Sequence, residues 1–131
     1  MGHCKKRCIS LFLTDVCNLS CKYCYCKSDK EHKKNELDLD FIKVAIKDFY
    51  EKEKKIYLRF FGNGEPTLCF ETMKKTVEYC KTLDSNPLFE LQTNGYFNDE
   101  ICDWIAKNID IVWISYDGTS EANEYYRVNH N

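Results

Sequence analysis

The sequence predicts an α/β protein whose parallel strands form part of a (β/α) barrel. Short apolar segments alternate four times with segments in which apolar residues recur at helical spacing. The strand segments are apolar along most of their length, as in parallel strands that are covered on both faces. A closed barrel has eight such units over roughly 250 residues. We therefore interpret residues 1–131 as one domain, the first four or so βα units of a barrel that is incomplete at its carboxyl terminus.

The predicted elements follow one another without a linker or an internal repeat. Strands are expected at residues 9–14, 56–61, 88–92 and 109–115, and helices at residues 38–55, 70–83 and 99–108. In the first helix, Ile42, Ile46 and Phe49 recur at spacings of three and four residues. Asn98 is suited to cap the third helix, where acidic residues follow in the first turn. A fourth helix is expected to be only forming where the chain ends.

The composition excludes several classes of protein. The 19 basic and 21 acidic residues give a net charge of -2, so neither a nucleic-acid surface nor an anionic membrane surface is indicated. A hydrophobic content of 44% with 15% aromatic residues indicates a folded chain. The apolar run at residues 9–13 is too short for a signal-peptide core or a membrane span. We therefore expect a cytoplasmic protein, in which nine cysteines indicate metal binding or catalysis rather than disulfides.

Four cysteines lie between Cys17 and Cys26, directly after the first predicted strand. Cys17, Cys21 and Cys24 form the pattern Cys-x3-Cys-x2-Cys. Zinc sites usually combine two Cys-x2-Cys or Cys/His pairs, and a redox pair would need Cys21 and Cys24 alone. Three thiolates on a [4Fe–4S] cluster would leave one iron free for a ligand that is not protein. The spacing favours an iron–sulfur cluster over zinc and leaves both possibilities open.

The segment "CNLSCKYCY" resembles the hallmark of the radical S-adenosylmethionine (radical SAM) superfamily, Cys-x3-Cys-x-aromatic-Cys, in which Tyr23 supplies the aromatic residue. The sequence of this segment is especially similar to the amino-terminal part of SPASM-type peptide and protein maturases, such as anaerobic sulfatase-maturating enzymes. The resemblance implies that Cys17, Cys21 and Cys24 hold a [4Fe–4S] cluster whose fourth iron chelates S-adenosylmethionine (SAM). It further implies reductive cleavage of SAM to a 5′-deoxyadenosyl radical, an electron donor such as a flavodoxin or ferredoxin, and a peptide or protein substrate.

Three later segments follow predicted strands, where α/β proteins bind ligands. "GNGEP" resembles the Gly-Gly-Glu-Pro segment that contacts the SAM amino group in this family, although Asn63 stands where glycine is common. Asparagine tolerates left-handed backbone geometry, so we expect the turn to persist. "TNG" at residues 93–95 is by composition an ordinary turn and by position a segment near the active site.

"SYDG" at residues 115–118 resembles the "SLDG" segment of maturase-type enzymes. Arg127 follows Ser115 by twelve residues, which matches a pair that contacts SAM in that branch. A hydroxyl can bond ribose or carboxylate oxygens, and a guanidinium can bind a carboxylate. The resemblance thus implies five SAM-binding residues: Tyr23, Gly64, Glu65, Ser115 and Arg127.

The remaining cysteines have less definite predictions. Cys80 and Cys102 lie on helical apolar stripes and are expected to be small core residues. Cys69 lies close to the proposed site without a clear role, and Cys26 is a spare thiol or an alternative ligand. Cys4 and Cys8, near His3, form a candidate second metal site without a complete set of ligands. Residues 27–34 are expected to be a solvated loop.

Two alternatives to a complete maturase-like enzyme remain. One is a non-catalytic half-barrel that binds a cluster or zinc, since four strands leave an open sheet edge and exposed apolar surface. The other is a glycyl-radical activase, which is expected to lack the "GEP" and "SYDG" arrangement. Arg127 is close to the last residue, where chain ends fray unless they are packed down. Because the later strands of a barrel are missing, we also expect only slow and uncoupled cleavage of SAM by the isolated chain.

Overall fold

The computed structural model describes residues 7–26 and 35–129. Strands and helices alternate along the chain. In order they are β1 (Ile9–Leu11), α1 (Leu39–Glu53), β2 (Tyr57–Phe60), a 3-10 helix (Pro66–Cys69), α2 (Phe70–Leu83), β3 (Leu88–Thr93), α3 (Asp99–Asn108), β4 (Ile111–Ile114) and α4 (Ser120–Tyr126).

The strands form one parallel sheet in the order β1-β2-β3-β4. In this register Leu11 lies beside Phe60, and Phe60 lies beside Leu91. All three are buried and share one core cluster with Ile42 and Ile46 of α1 and with α2 residues such as Met73 and Val77. The predicted α/β architecture of a partial parallel barrel is therefore confirmed.

The opposite face of the sheet has a different character. Ser10, Arg59 and Glu90 lie side by side on it. Trp113, also on this face, remains 59% exposed. Consecutive parallel strands joined by crossovers of one hand place all the connecting helices on one side. In the part of the chain that the structure describes, the buried apolar side chains of the helices therefore pack on the face of Leu11, Phe60 and Leu91.

The boundaries of two predicted elements change for identifiable reasons. The first strand ends at Leu11, because Thr14 instead forms an isolated antiparallel bridge with Glu36. The fourth helix is already complete, since Thr119 accepts a hydrogen bond from Ala122 N and caps it. The expectation that this helix would be only forming at the end of the chain was wrong. By contrast, the predicted cap of α3 is confirmed, with Asn98 accepting from Ile101 N.

Strand β4 is the least covered part of the sheet. Val112 is 38% exposed and Ile114 is 60% exposed, whereas the neighbouring Leu91 is fully buried. This is the exposed apolar edge that the four-strand pattern predicts. No helix in the described ranges has the length and apolar character that crossing a membrane requires.

Candidate cofactor site

The segments that resemble cofactor loops all lie at one edge of the sheet. The cysteine loop follows β1, "GNGEP" follows β2, "TNG" spans the end of β3, and "SYDG" follows β4. Because the four strands are parallel, their carboxyl ends meet at the same edge. The sheet thereby brings together segments that are far apart in the sequence.

Gly64 packs directly against the start of the cysteine loop. A Cβ atom at this position would lie 2.4 Å from Val16 O and 2.6 Å from Thr14 O, so only glycine fits. Glu65 N also donates to Val16 O at 2.9 Å. The glycine thus permits a close approach to the chain's own backbone, one residue before Cys17.

The turn before Gly64 has its positive φ at a glycine. Gly62 has φ = +151°, whereas Lys54 is the only non-glycine residue with positive φ in the described ranges. Residues 62–64 form a bend, so the turn persists as expected, and Gly62 rather than Asn63 has the positive φ. Lys54 takes its left-handed conformation as the C-cap of α1, far from this edge.

Glu65 ties the ends of β2 and β3 together. Its side chain is 2% exposed. One carboxylate oxygen accepts from Thr67 Oγ1 at 2.7 Å and from Thr93 Oγ1 at 2.6 Å, and the other accepts from Asn94 N at 2.8 Å. The backbone of Glu65 is extended, as predicted for a residue before proline. These donors come from separate segments, so the carboxylate orders the segments around it.

Asn94, in the "TNG" segment, connects this edge to the first cysteine. Its Nδ2 donates to Asn18 Oδ1 at 2.7 Å and faces Cys17 Sγ at 3.6 Å. Its Oδ1 accepts from Tyr96 N at 2.8 Å. Asn18 Nδ2 completes the network by donating to Tyr96 O at 2.8 Å. The sequence placed "TNG" near the active site by its position but did not indicate this network.

Around the second cysteine, the structure gathers Tyr23, Asp117 and Arg127. Arg127 Nε forms an ion pair with Asp117 Oδ2 at 2.9 Å, and Tyr23 Oη donates to the same oxygen. Arg127 Nη1 lies 3.9 Å from Cys21 Sγ, and the guanidinium lies 5.6 Å from the Tyr23 ring centroid. Two of the predicted SAM-binding residues therefore meet beside a predicted cluster ligand. Asp117, which joins them, was not predicted, although it is part of the quoted "SYDG" motif.

The segment after α4 is anchored on the cysteine loop. Ser20 N donates to Val128 O at 2.7 Å, Lys22 N donates to Tyr126 O at 2.8 Å, and Leu19 and Asn129 form an antiparallel bridge. The condition under which Arg127 would not fray is therefore met, because this backbone pairing packs residues 126–129 against the cysteine loop.

Ser115 continues the sheet by one residue beyond β4. Its backbone N–H donates to Thr93 O at 2.9 Å, which places Ser115 next to the end of β3. The side chain is partly exposed at the same edge as the cysteine loop. A role of its hydroxyl in SAM binding stays a prediction.

Burial and neighbouring charges shift the ionisation of this site. Burial raises the pKa of Cys17, and the charges of Glu65 and Cys21 add to the increase against hydrogen bonds from Leu19 and Asn94. Burial also raises the pKa of Cys21, with opposition from the Arg127 cation. Burial and the hydrogen bond to Asp117 raise the pKa of Tyr23 to about 12. Metal binding by these thiols would therefore release protons at neutral pH.

The three predicted ligands fit an iron–sulfur cluster by their chemistry and placement. All are partly exposed thiols on one loop, and the charges of neighbouring thiols influence both Cys17 and Cys21. Within residues 7–26 and 35–129, no three His, Cys, Asp or Glu side chains converge as ligands of a single metal ion. A cluster does not require such convergence, since each thiolate binds a different iron.

The other cysteines divide differently from the prediction. Cys80 is fully buried, as predicted, and burial together with the Asp84 charge raises its pKa to about 12. Cys102 is exposed, so its predicted core position was wrong. The buried side of α3 instead follows Ile101 and Ile105, four residues apart. Cys69 is buried, Cys26 and Cys8 are partly exposed, and the proposed partners His3 and Cys4 lie outside the described residues.

A cleft of about 490 Å³ lies beside this site. Phe12, Leu13, Asn63 and neighbouring residues line it, and the lining includes no cysteine and none of the five predicted SAM-binding residues. The cleft is therefore distinct from the candidate cofactor site that the cysteines and Arg127 form.

Comparison with known proteins decides the family. The model of the radical SAM superfamily matches residues 11–131. The chain belongs to the radical SAM superfamily. The match includes the cysteine loop and the segments at all four strand ends.

The radical SAM relatives are longer than this chain. An uncharacterised protein of Methanocaldococcus jannaschii is 39% identical over 123 residues, which are 89% of this chain and 40% of that protein. The cysteine-type anaerobic sulfatase-maturating enzyme of Clostridium novyi is 27% identical over 124 residues, which are 88% of this chain and 33% of that enzyme. The chain thus spans about a third to two fifths of the length of these relatives.

Solved structures show the same radical SAM fold. The structure of polyhistidine-tagged anSMEcpe with bound AdoMet superposes with a TM-score of 0.77 at 24% identity, and the match covers 95% of this chain and 36% of that one. BtrN in complex with AdoMet and 2-DOIA gives a TM-score of 0.66 at 18% identity, with coverage of 84% and 46%. These likenesses confirm the arrangement of strands and helices described above.

Proposed function

We propose that this chain is the cofactor-binding part of a radical SAM enzyme that modifies a peptide or protein side chain. Cys17, Cys21 and Cys24 would hold a [4Fe–4S] cluster, and Tyr23, Gly64, Glu65, Ser115 and Arg127 would form the SAM site. When bound, the cluster and SAM supply one-electron cleavage of SAM to a 5′-deoxyadenosyl radical, with electrons from a donor such as a flavodoxin or ferredoxin. The protein's own residues bind and orient these groups.

The observation that best supports the proposal is the position of Arg127 beside Cys21. Arg127 comes from the end of the described chain, yet its guanidinium lies 3.9 Å from Cys21 Sγ and is 12% exposed. A partly buried cation beside a thiol is suited to anionic groups, such as a thiolate and a ligand carboxylate. Asp117 fixes its orientation through Nε, which leaves other N–H groups of the guanidinium for a ligand.

The substrate class is supported by the relatives. One similar protein is a sulfatase-maturating enzyme, and anSMEcpe has been solved with AdoMet and the Cp18Cys peptide, with a TM-score of 0.75 and 24% identity. The face of the sheet opposite the core carries Arg59 and Glu90 at its centre, joined at 3.1 Å, and Trp113 towards its edge, so it combines a charged pair with an aromatic side chain. Such a surface is compatible with a polar substrate such as a peptide.

Cluster binding is tested by anaerobic reconstitution followed by iron and sulfide analysis and absorption spectroscopy. The triple variant of Cys17, Cys21 and Cys24 to alanine should lose the cluster. The matched control replaces Cys8, Cys26 and Cys102, three cysteines that are not fully buried. Full cluster retention in the first variant, or stoichiometric zinc in the native chain, would contradict the proposal.

SAM binding is tested by calorimetry on the reconstituted chain. Arg127→Ala should weaken SAM binding by about 1–3 kcal/mol, because a charge-assisted hydrogen bond is lost. Arg7→Ala is the control, since Arg7 pairs with Glu53 on α1, away from the site. Equal affinities of Arg127→Ala and the native chain would remove Arg127 from the site.

The non-catalytic alternative makes a different prediction about turnover. With dithionite as reductant, the chain should form 5′-deoxyadenosine slowly and without coupling to substrate, because the exposed β4 edge leaves the core open to water. Complete absence of 5′-deoxyadenosine from cluster-loaded chain would favour the alternative of a binding module.

A further inference from the structure

We propose that Asn94 is a positioning residue that donates a hydrogen bond to the sulfur of Cys17 and thereby makes the cluster easier to reduce. The inference rests on the proposed function, since it assumes that Cys17 is a cluster ligand. It assigns a role to the "TNG" segment that the sequence pattern alone does not indicate. The side chain acts on the reaction through Cys17, without contacting substrate.

The orientation of the Asn94 amide follows from its neighbours. Oδ1 accepts from Tyr96 N at 2.8 Å, and a backbone N–H can only donate, so the oxygen must face Tyr96. The two N–H groups of Nδ2 then face the two remaining neighbours, Asn18 Oδ1 at 2.7 Å and Cys17 Sγ at 3.6 Å. The oxygen and each of the two N–H groups therefore have one matching partner.

The backbone at Asn94 is held as firmly as its side chain. Asn94 N donates to the buried carboxylate of Glu65 at 2.8 Å, and Thr93 Oγ1 donates to the same carboxylate at 2.6 Å. Glu65 N in turn bonds Val16 O, one residue before Cys17. The donor and the sulfur are therefore fixed to each other through Glu65 as well as directly.

The three predicted ligands have different surroundings. Cys17 faces the neutral amide of Asn94, whereas Cys21 faces the cation of Arg127. Cys24 lies 3.5 Å from the carbonyl of Cys26, which is an acceptor. The amide at Cys17 is thus the rigid, neutral donor of the set.

A hydrogen bond to a ligand sulfur stabilises the more negative, reduced state of an iron–sulfur cluster. Removal of the donor should therefore favour the oxidised state. A tenfold change in this equilibrium corresponds to 59 mV for one electron, and we expect a negative shift of about this size in Asn94→Ala. Asn94→Asp keeps an acceptor for Tyr96 N but replaces the donor with a carboxylate, so its shift should be larger.

The experiment measures the midpoint potential of the reconstituted cluster by potentiometric electron paramagnetic resonance. Asn108→Asp is the matched control, since it adds the same charge at the end of α3, where Asn108 contacts Trp104 and Lys81. The native chain and this control should have equal potentials, and both Asn94 variants should be more negative. Iron content measured in parallel shows whether each variant holds a complete cluster.

Unchanged potentials in both Asn94 variants with complete clusters would overturn this inference and leave the proposed function intact. If Asn94→Ala holds no cluster because the turn is disrupted, the midpoint potential of Asn94→Asp tests the inference, since this variant preserves the acceptor for Tyr96 N. A native chain that assembles no [4Fe–4S] cluster would overturn the proposed function and this inference together.

Discussion

The two ends of the sheet each contain a buried carboxylate that ties successive strands together, and the two carboxylates serve different purposes. At the amino end, Asp84 accepts from Ile56 N at 2.7 Å and from Asn86 N at 3.0 Å, and it lies 3.5 Å from Lys55 Nζ. At the carboxyl end, the hydroxyls and backbone N–H groups that bond Glu65 belong to segments around the cysteine loop.

The comparison shows that a buried, hydrogen-bonded carboxylate stabilises the fold at one end of the sheet and orders the candidate cofactor site at the other. One partner of Asp84, Ile56, directly precedes β2, and the other, Asn86, lies in the turn between α2 and β3. These bonds therefore hold the starts of two neighbouring strands together. The partners of Glu65 include Asn94, whose side chain reaches Cys17. This division is the one expected of α/β barrels, in which the carboxyl edge carries the chemistry.

The largest effect is expected at the carboxyl end, for Gly64→Ala. The added Cβ would overlap backbone atoms of Thr14 and Val16, which cannot move aside as a flexible side chain could. We expect a loss of about 3 kcal/mol in the free energy of unfolding, measured by urea denaturation. Gly118→Ala is the control, because Gly118 has positive φ but open space around it, and the change should cost about 1 kcal/mol. Equal costs would mean that the cysteine loop is not packed on Gly64.

Two isosteric variants, Glu65→Gln and Asp84→Asn, compare the roles of the two carboxylates directly. Each replaces an accepting oxygen with an NH2 group that faces donors, and each should cost about 2 kcal/mol of unfolding free energy. Only Glu65→Gln should also lower the iron bound per chain after reconstitution, because only Glu65 positions Asn94. Equal iron content in both variants would contradict the division between the ends.

The Asp84 variant also has a predicted pH dependence. Burial alone would raise the pKa of Asp84, but hydrogen bonds from Ile56 N and Asn86 N and the charge of Lys55 together hold this pKa below its ordinary value of 3.8. The folded state therefore binds the proton less tightly than the unfolded state, and the stabilisation is present above that value and lost as the pH falls. The stability difference between the native chain and Asp84→Asn should therefore stay constant at neutral pH and shrink as the pH falls below 3.8. A stability difference that stays constant down to pH 3 would show that a lowered pKa of Asp84 does not stabilise the fold.

The smallest effect is expected for Cys102→Ser, compared with Cys80→Ser. Cys102 is exposed, so its replacement should change the free energy of unfolding by less than about 0.5 kcal/mol. Cys80 is fully buried beside the amino-end turn, and a serine hydroxyl there should cost about 1–3 kcal/mol. Thermal unfolding measures both, and a costly Cys102→Ser would restore the original assignment of Cys102 to the core.

The sequence by itself determined the fold class and the ligand candidates, because those depend on local patterns. The alternation of apolar runs with helical periodicity predicted four strands in a parallel sheet, and Asn98 predicted the start of α3. The spacing of Cys17, Cys21 and Cys24 favoured an iron–sulfur cluster over zinc, and this assignment stays a prediction. Local periodicity failed at Cys102, where the direction in which a short helix faces the sheet depends on its neighbours.

Only the tertiary structure decided what each motif contacts. Gly64 meets the backbone at Val16, Glu65 reaches across to the end of β3, and Asn94 lies beside Cys17 although 77 residues separate them in the sequence. Among the described residues, the consecutive strand order also places the core-forming helices on one face of the sheet, which the strands' apolar character did not reveal. These contacts join residues that are remote in the sequence, and their partners are set by strand order and register, which no local pattern encodes.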